Sequence, residues 1–397
     1  MTDGRNSTLL QAVAALGPRL AGRPAESEAA GLVLDAFQGL GLEARLESFQ
    51  FVGWEHTVPA SVMVLAPERV ELAAGPMSFT ASTPGGGVTG RLVRIGTSYL
   101  MPGVIEWPQY AVVDGSGREV AYVLGRAEGR AFPIPRTYPH PFLMLAAVNV
   151  GGEDARRIDA WLEAGEEVRV TVTNVGRHLP GLTGQNVVAR LPGRTAEEIV
   201  VSAHLDSAPG SPGASDNASG LQGVYDVAAA LTSADIPEKS YSFVAFGAEE
   251  YGMLGSFFHV AERKTRGTLG PVVANVNFDA IAIGESLLCY ASPDPMRALV
   301  AAEMAATGTA GRFTKVEYAE TRRVVDGYPF HLEGIPNVSF IAWPYDAYHQ
   351  PEDDLGMLDL DLLAELSGFG RHLIARLDAM DSAGFGAVGR SDPSSIS

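Results

Sequence analysis

In the stretch ending at Asp216 the chain places one imidazole and two carboxylates at the close of an apolar run and in the loop after it. They are His204, Asp206 and Asp216, in Ser202-Ala203-His204-Leu205-Asp206 and Gly213-Ala214-Ser215-Asp216-Asn217. The pair Glu249-Glu250 follows Phe243-Val244-Ala245-Phe246-Gly247-Ala248, and Asp279 follows Val273-Ala274-Asn275-Val276-Asn277-Phe278. His349 stands in Tyr348-His349-Gln350-Pro351-Glu352-Asp353. Two imidazoles with three or four carboxylates suit two zinc ions that share a bridging carboxylate, which is hydrolytic chemistry.

Each of these residues has a plainer use when taken alone. His204 and Asp206 are two apart and share a side of an extended chain. There the carboxylate can accept the ring N–H and leave the other nitrogen for a metal, but a strand-end His beside a surface Asp looks the same. Asp216 stands just ahead of an apolar helical pattern, where it can be an ordinary N-cap or a bridge between two metals. Adjacent Glu249 and Glu250 diverge, so one can bind metal while the other faces an attacking water; a solvated acidic pair is the alternative. Asp279 can simply form a turn, and His349 can simply pack among its aromatic neighbours.

The elements that must position these groups alternate in type from Gln185 onward. Strands are expected at Asn186–Leu191, Ile199–His204, Tyr241–Phe246, Val272–Phe278 and Val338–Trp343. Helices are expected at Asn217–Leu231, Met253–Arg263, Pro295–Thr307 and Asp359–Met380. This alternation predicts an α/β fold: a mixed, mainly parallel sheet flanked by helices on both faces. In such sheets ligands bind beyond the carboxyl ends of the strands, which is where all the residues above fall.

Upstream, Ser7–Leu16 and Glu26–Leu40 read as helices. From about Phe51 the texture becomes short β-like pieces at Ser61–Leu65, Val88–Ile95, Glu119–Leu124 and Phe142–Val148, then a helix near Glu153–Glu163 and a strand at Glu167–Thr173. A smaller β-rich inserted domain is therefore expected at 51–180, between an N-terminal helical part of the catalytic domain (1–50) and its main body (181–382). The Gly/Ser-rich stretch 383–397 reads as a frayed tail. Pro84-Gly85-Gly86-Gly87 lacks the Lys-Ser/Thr of a phosphate loop and reads as a turn.

Bulk properties narrow the function. With 29 basic and 47 acidic side chains the formal charge is −18, which disfavours nucleic acid and anionic membrane as partners. The one cysteine, Cys289, lies in an apolar strand-like run and has no partner for a disulfide or a thiolate zinc site. No apolar leader or run of transmembrane length is seen, so a cytoplasmic location is expected.

Taken in order, these segments resemble the co-catalytic zinc exopeptidases typified by bacterial leucyl aminopeptidases and glutamate carboxypeptidase. The likeness runs through Gln185-Asn186-Val187-Val188-Ala189, His204-Leu205-Asp206, Gly213 to Gly220, Ala248-Glu249-Glu250-Tyr251-Gly252, Asn277-Phe278-Asp279 and Tyr348 to Asp353. Pro18-Arg19-Leu20-Ala21-Gly22-Arg23-Pro24 is similar to the family's N-terminal entry. The resemblance implies two Zn2+ per chain, one held by His204, Asp216 and Asp279 and the other by Asp216, Glu250 and His349. It implies Glu249 as general base, Asp206 as the partner of His204, Tyr348 as an oxyanion-stabilising hydroxyl, and a cis peptide at Asp216-Asn217. It further implies a peptide substrate, and a protease-associated identity for the β-rich insert. Val325-Asp326-Gly327 departs from the family's Ser-Asp-His at that point.

Aminopeptidase activity is the leading expectation. A carboxypeptidase or dipeptidase on the same metal core is the alternative, with Arg322 and Arg323 as candidate carboxylate readers. A glutaminyl cyclase of related fold would use one metal, and a non-catalytic binding relative would have lost ligands that this chain keeps.

Overall fold

A computed structural model of the chain describes residues 8–101, 105–135 and 144–388. The chain divides into two units, residues 1–51 with 183–397 and residues 52–182. Helices α1 (Thr8–Ala14) and α2 (Pro24–Gly39) begin the first unit, and the long strand β1 (Glu43–Ala66) carries the chain out of it. Ser7 and the first two residues of the strand expected at Phe142–Val148 lie outside the described residues.

Residues 52–182 contain β2 (Val70–Pro76), β3 (Val88–Met101), β4 (Ile105–Val113), β5 (Glu119–Gly125), β6 (Ala146–Val150), α3 (Gly152–Glu163) and the first half of β7 (Arg169–Leu191). The strands run in the order β1-β2-β6-β5-β4-β3-β7, with β5 and β6 parallel and the other neighbours antiparallel. Val62, Val64, Val112, Val123, Val148 and Val170 join Ile158 of α3 in one apolar core, as alternating strand residues with one helix beneath them should. β2 and β4 are additions to the sequence expectation.

The first unit adds β8 (Glu198–His204), α4 (Gly220–Thr232), β9 (Ser240–Phe246), α5 (Leu254–Thr265), β10 (Val272–Asp279) and β11 (Ser286–Ser292). It continues with α6 (Asp294–Thr307), β12 (Lys315–Ala319), α7 (Tyr328–Leu332), β13 (Asn337–Trp343), α8 (Leu360–Asp378) and α9 (Ser382–Val388). Strand order from the second half of β7 is β7-β9-β8-β10-β13-β11-β12. The four strands β9, β8, β10 and β13 are mutually parallel, while β7 and β11 pair antiparallel at the borders of that group. This is the mixed, mainly parallel sheet read from the sequence.

Helices cover both faces because the strands are apolar on both. Along β8, Ile199, Val201 and Ala203 join Val33 and Phe37 of α2, Leu221 and Val224 of α4, and Leu366 and Phe369 of α8. Val200 points the other way, into a cluster with Val260 of α5 and Phe330 of α7. Such strands read as continuous hydrophobic runs, which is why their ends were visible in the sequence. Of the tail expected from Ala383, residues up to Val388 belong to α9, whose Phe385 and Val388 are buried. The stretch 389–397 lies outside the described residues.

One helix start differs from expectation. Ala214–Ser219 form a wide irregular turn in which Asp216 and Asn217 are non-helical, so α4 begins at Gly220 and not at Asn217. The Asn217 side chain acts as a strut. Its Oδ1 accepts N–H groups from Gly220 (3.0 Å) and Ala280 (3.1 Å), and its Nδ2 donates to the Phe278 carbonyl (2.9 Å). A Cβ at residue 220 would come within 2.2 Å of Asn217 Oδ1, so only glycine fits there.

Candidate two-metal active site

Each of the four parallel strands delivers part of the site at its carboxyl end. β8 ends in His204 and feeds the loop to Asp216, β9 leads to Glu249-Glu250, β10 ends in Asp279, and β13 leads to His349. The Asp216-Asn217 peptide is cis, as the resemblance implied.

The five expected ligands meet in two groups. His204 Nε2 lies 2.9 Å from Asp216 Oδ1 and 3.3 Å from Asp279 Oδ1. His349 Nε2 lies 3.4 Å from Asp216 Oδ2 and 3.3 Å from Glu250 Oε1. Asp216 thus turns one carboxylate oxygen to each imidazole. Within each group one donor atom from every residue lies within 4.8 Å of the others, and all five residues are buried.

Electrostatics say what such a cluster requires. Burial alone would lower the His204 pKa, but Asp206, Asp216 and Asp279 outweigh it and hold the ring well above its ordinary value. For His349 burial is likewise outweighed, by Glu250 and Asp216, and the pKa is pushed up to about 10. Burial would raise the Asp216 carboxyl, yet the two imidazoles pull it below the usual carboxylate range. Without metal, protonated imidazoles serve as counter-ions to the carboxylates. Asp206, Asp216, Glu249, Glu250 and Asp279 are five buried carboxyl groups against two imidazoles, and so acidic a buried cluster suits bound cations. A nitrogen and oxygen donor set of this composition fits zinc.

The surrounding hydrogen bonds fix the donors. His204 Nδ1–H donates to the backbone carbonyl of Asp206 at 3.1 Å, which turns Nε2, the nitrogen that would bind metal, toward Asp216 and Asp279. The Asp206 carboxylate, the expected partner of His204, has Oδ1 3.7 Å from Nδ1 and helps to raise the ring's pKa. It also accepts the backbone N–H groups of Glu249 (Oδ1, 3.0 Å) and Glu250 (Oδ2, 3.2 Å). One buried Asp therefore ties the end of β8 to both acids that follow β9. The Tyr348 ring stacks on His349 at 3.8 Å between centroids and meets Trp343 edge-on at 5.0 Å.

Backbone conformation is unusual at the same places. Ala248 (φ +56°) directly precedes Glu249, Ala280 (φ +52°) directly follows Asp279, and His349 itself has φ +55°. Left-handed non-glycine residues are uncommon and collect at functional sites.

Two buried residues beside the site received no role from the sequence. Asp353 accepts the N–H groups of Ser215 (2.7 Å) and Asp216 (3.1 Å), and burial pushes its carboxyl up to about 6. Arg19 is fully buried against the 205–213 loop. Asp326, where the family pattern is broken, is buried with Oδ1 accepting from Ser256 Oγ at 2.6 Å. His259 is buried with Nδ1 2.8 Å from Glu47 Oε2.

Comparison with known proteins bears on the same residues. Positions 186–371 match the model of peptidase family M28. The chain is 24% identical to aminopeptidase YwaD of Bacillus subtilis, over 90% of this chain and 81% of that protein. Among solved structures, a peptidase M28 precursor from Shewanella amazonensis superposes with a TM-score of 0.75 at 18% identity, covering 96% of this chain and 94% of the other. An aminopeptidase from an Aneurinibacillus species gives 0.70 at 22% identity, covering 94% of each. At those identities the structural likeness speaks for the fold.

Proposed function

We propose, from the match of residues 186–371 to the model of peptidase family M28, that the chain is a two-zinc exopeptidase that removes residues from the amino end of peptides. The observation that carries this reading is the pair of buried donor groups sharing Asp216, one oxygen to each imidazole. In this reading His204, Asp216 and Asp279 hold one zinc, and Asp216, Glu250 and His349 hold the other. Zinc held there would supply Lewis acidity toward a carbonyl and would bring the pKa of water toward ~7.

The chain's own residues supply the rest. Glu249, next in sequence to a ligand and held by its amide to Asp206, takes a proton from the attacking water and returns it to the leaving amine. Tyr348, packed on His349, offers a hydroxyl to the charge that develops on the scissile carbonyl oxygen. Asp206 and Asp353 hold the amides of the ligand-bearing loops from behind. No helix among the described residues is long and apolar enough to cross a membrane.

The test is zinc content, product analysis and one variant. The protein should hold two zinc ions per chain and convert a peptide into a ladder shortened from its amino end. Glu249→Gln should keep its zinc while kcat drops about 10²–10⁴-fold. Near-parental turnover of the zinc-loaded variant would remove Glu249 from the mechanism, and a ladder shortened from the carboxyl end would make the protein a carboxypeptidase.

A further inference from the structure

The segment between α1 and α2 lies far from every ligand in sequence, yet it reaches the back of the metal centre. Arg19 has no exposed surface. Its guanidinium donates to four backbone carbonyls: Leu205 from Nε (3.2 Å), Gly213 from Nη2 (3.1 Å), and Pro212 and Gly17 from Nη1. Its own backbone is held in return, the N–H by Ser207 Oγ (2.9 Å) and the carbonyl by the Ser207 N–H (3.4 Å). Leu205 directly follows His204, and Gly213 stands three residues before Asp216. The fork therefore gathers the two ends of the loop that joins one ligand to the bridge.

We infer that Arg19 is a positioning residue of the metal centre, clasping the 205–213 loop so that Asp216 stays where both imidazoles reach it.

Three features of the chemistry support this. First, only a planar guanidinium presents several fixed donors to carbonyls on both sides; a Lys ammonium at this depth cannot span them. Second, the loop is held from the opposite side through its amides. Asp353 accepts from Ser215 and Asp216 with its carboxylate and from Ala214 with its backbone carbonyl (3.0 Å). Arg19 takes the carbonyls that precede those amides, so the two residues divide the loop's polar groups between them. Third, the turn between them has no slack: Gly213 is left-handed (φ +59°), and a Cβ there would lie 2.3 Å from the Asp216 carbonyl oxygen and 2.5 Å from Ser207 Cβ. Burial lowers the guanidinium pKa to about 10, against the opposing pull of Asp206, Asp353, Asp216 and Glu250, so the group is charged at neutral pH. Arg19 is thus a fixed cation beside the carboxylates, one that metal binding does not displace.

This inference rests on the two-zinc reading, and its test separates the two. Parental protein, Arg19→Lys, Arg19→Met and Ser207→Ala are freed of metal and titrated with Zn2+ against a chromogenic chelator and with Co2+ by visible absorption. Both Arg19 variants should bind zinc about 10–100-fold more weakly and show an altered cobalt spectrum, because groups that orient ligands typically matter by that factor. The reloaded variants should lose kcat with KM within about twofold, and Ser207→Ala should show a smaller loss of the same kind. If Arg19→Met does not fold, Arg19→Lys and Ser207→Ala decide. Parental zinc affinity and cobalt spectrum in folded Arg19→Lys would overturn the inference. So would a loss of affinity no larger than the lost fraction of folded protein. Failure of the parental protein to bind zinc would instead overturn the two-zinc reading itself.

Discussion

Replacing Asp206 by Asn tests the way the site is assembled. The parent carboxylate uses one oxygen for each of two adjacent amides, Glu249 N–H at 3.0 Å and Glu250 N–H at 3.2 Å, with no exposed surface. Asn has one oxygen, so its Nδ2 must face the second N–H as a donor against a donor. A buried donor left without an acceptor costs about 1–3 kcal/mol, and weakening the other bond from an ionised to a neutral acceptor costs about 1 kcal/mol more. The expected loss is about 2–4 kcal/mol, a large part of a domain's usual 5–15 kcal/mol. Removing a buried negative charge beside Asp216 and Glu250 would offset some of this in metal-free protein, so both proteins should be compared zinc-loaded. Urea unfolding of the catalytic unit gives the stability, and steady-state kinetics should show kcat down about 10–100-fold as the two acids lose their anchor. A variant within about 0.5 kcal/mol of the parent with unchanged kcat would show that Asp206 does not carry the Glu249-Glu250 pair.

Two further outcomes follow from the buried titratable groups. Glu26 is buried, its Oε2 accepts the Gly22 N–H at 2.7 Å, and burial pushes its pKa from 4.5 to about 8. Between those values the folded protein keeps a proton that the unfolded chain has released, so stability falls as pH rises through the window, by on the order of a few kcal/mol. Glu26→Gln should flatten that slope and be the more stable protein at pH 9 when urea midpoints are compared at pH 5, 7 and 9; parallel slopes would contradict it. The second concerns metal loading. With His204 and His349 both held protonated in the absence of metal, zinc binding at pH 7 should expel about two protons per chain. Calorimetry in buffers of different ionisation enthalpy counts them, and fewer than one would mean that the imidazoles are already neutral.

How much of this was legible in the sequence depends on where the signal is written. The ligands were readable because runs such as Phe243–Phe246 and Val273–Phe278 are buried on both faces of the sheet, so the first polar group after each marks a strand end. Arg19 was not readable as part of the site. Three of its four carbonyl partners lie more than 180 residues away, and backbone carbonyls carry no side-chain signature. The bonds that Asp206 accepts from Glu249 and Glu250 were hidden for a similar reason, since they come from amides that any residue would supply. β1 begins at Glu43, well before the expected Ser61, and its first part was hidden because Gly53 and Pro59 interrupt the pattern that normally announces a strand. β12, Lys315–Ala319, is partly exposed with no clear alternation, and so gave no periodic signal.

The left-handed residues around the ligands bear on the protein's history as well as its geometry. Ala248, Ala280 and His349 each adopt a conformation that costs an L-residue about 1–2 kcal/mol. Glycine at 248 or 280 would relieve most of that, against roughly 0.5–1 kcal/mol of added chain entropy in the unfolded state. A sturdier protein with a slacker site thus lies one substitution away at either position. A lineage selected only for heat tolerance should drift to glycine there, whereas one selected for turnover should keep a side chain and the aim it enforces on Glu249 and Asp279.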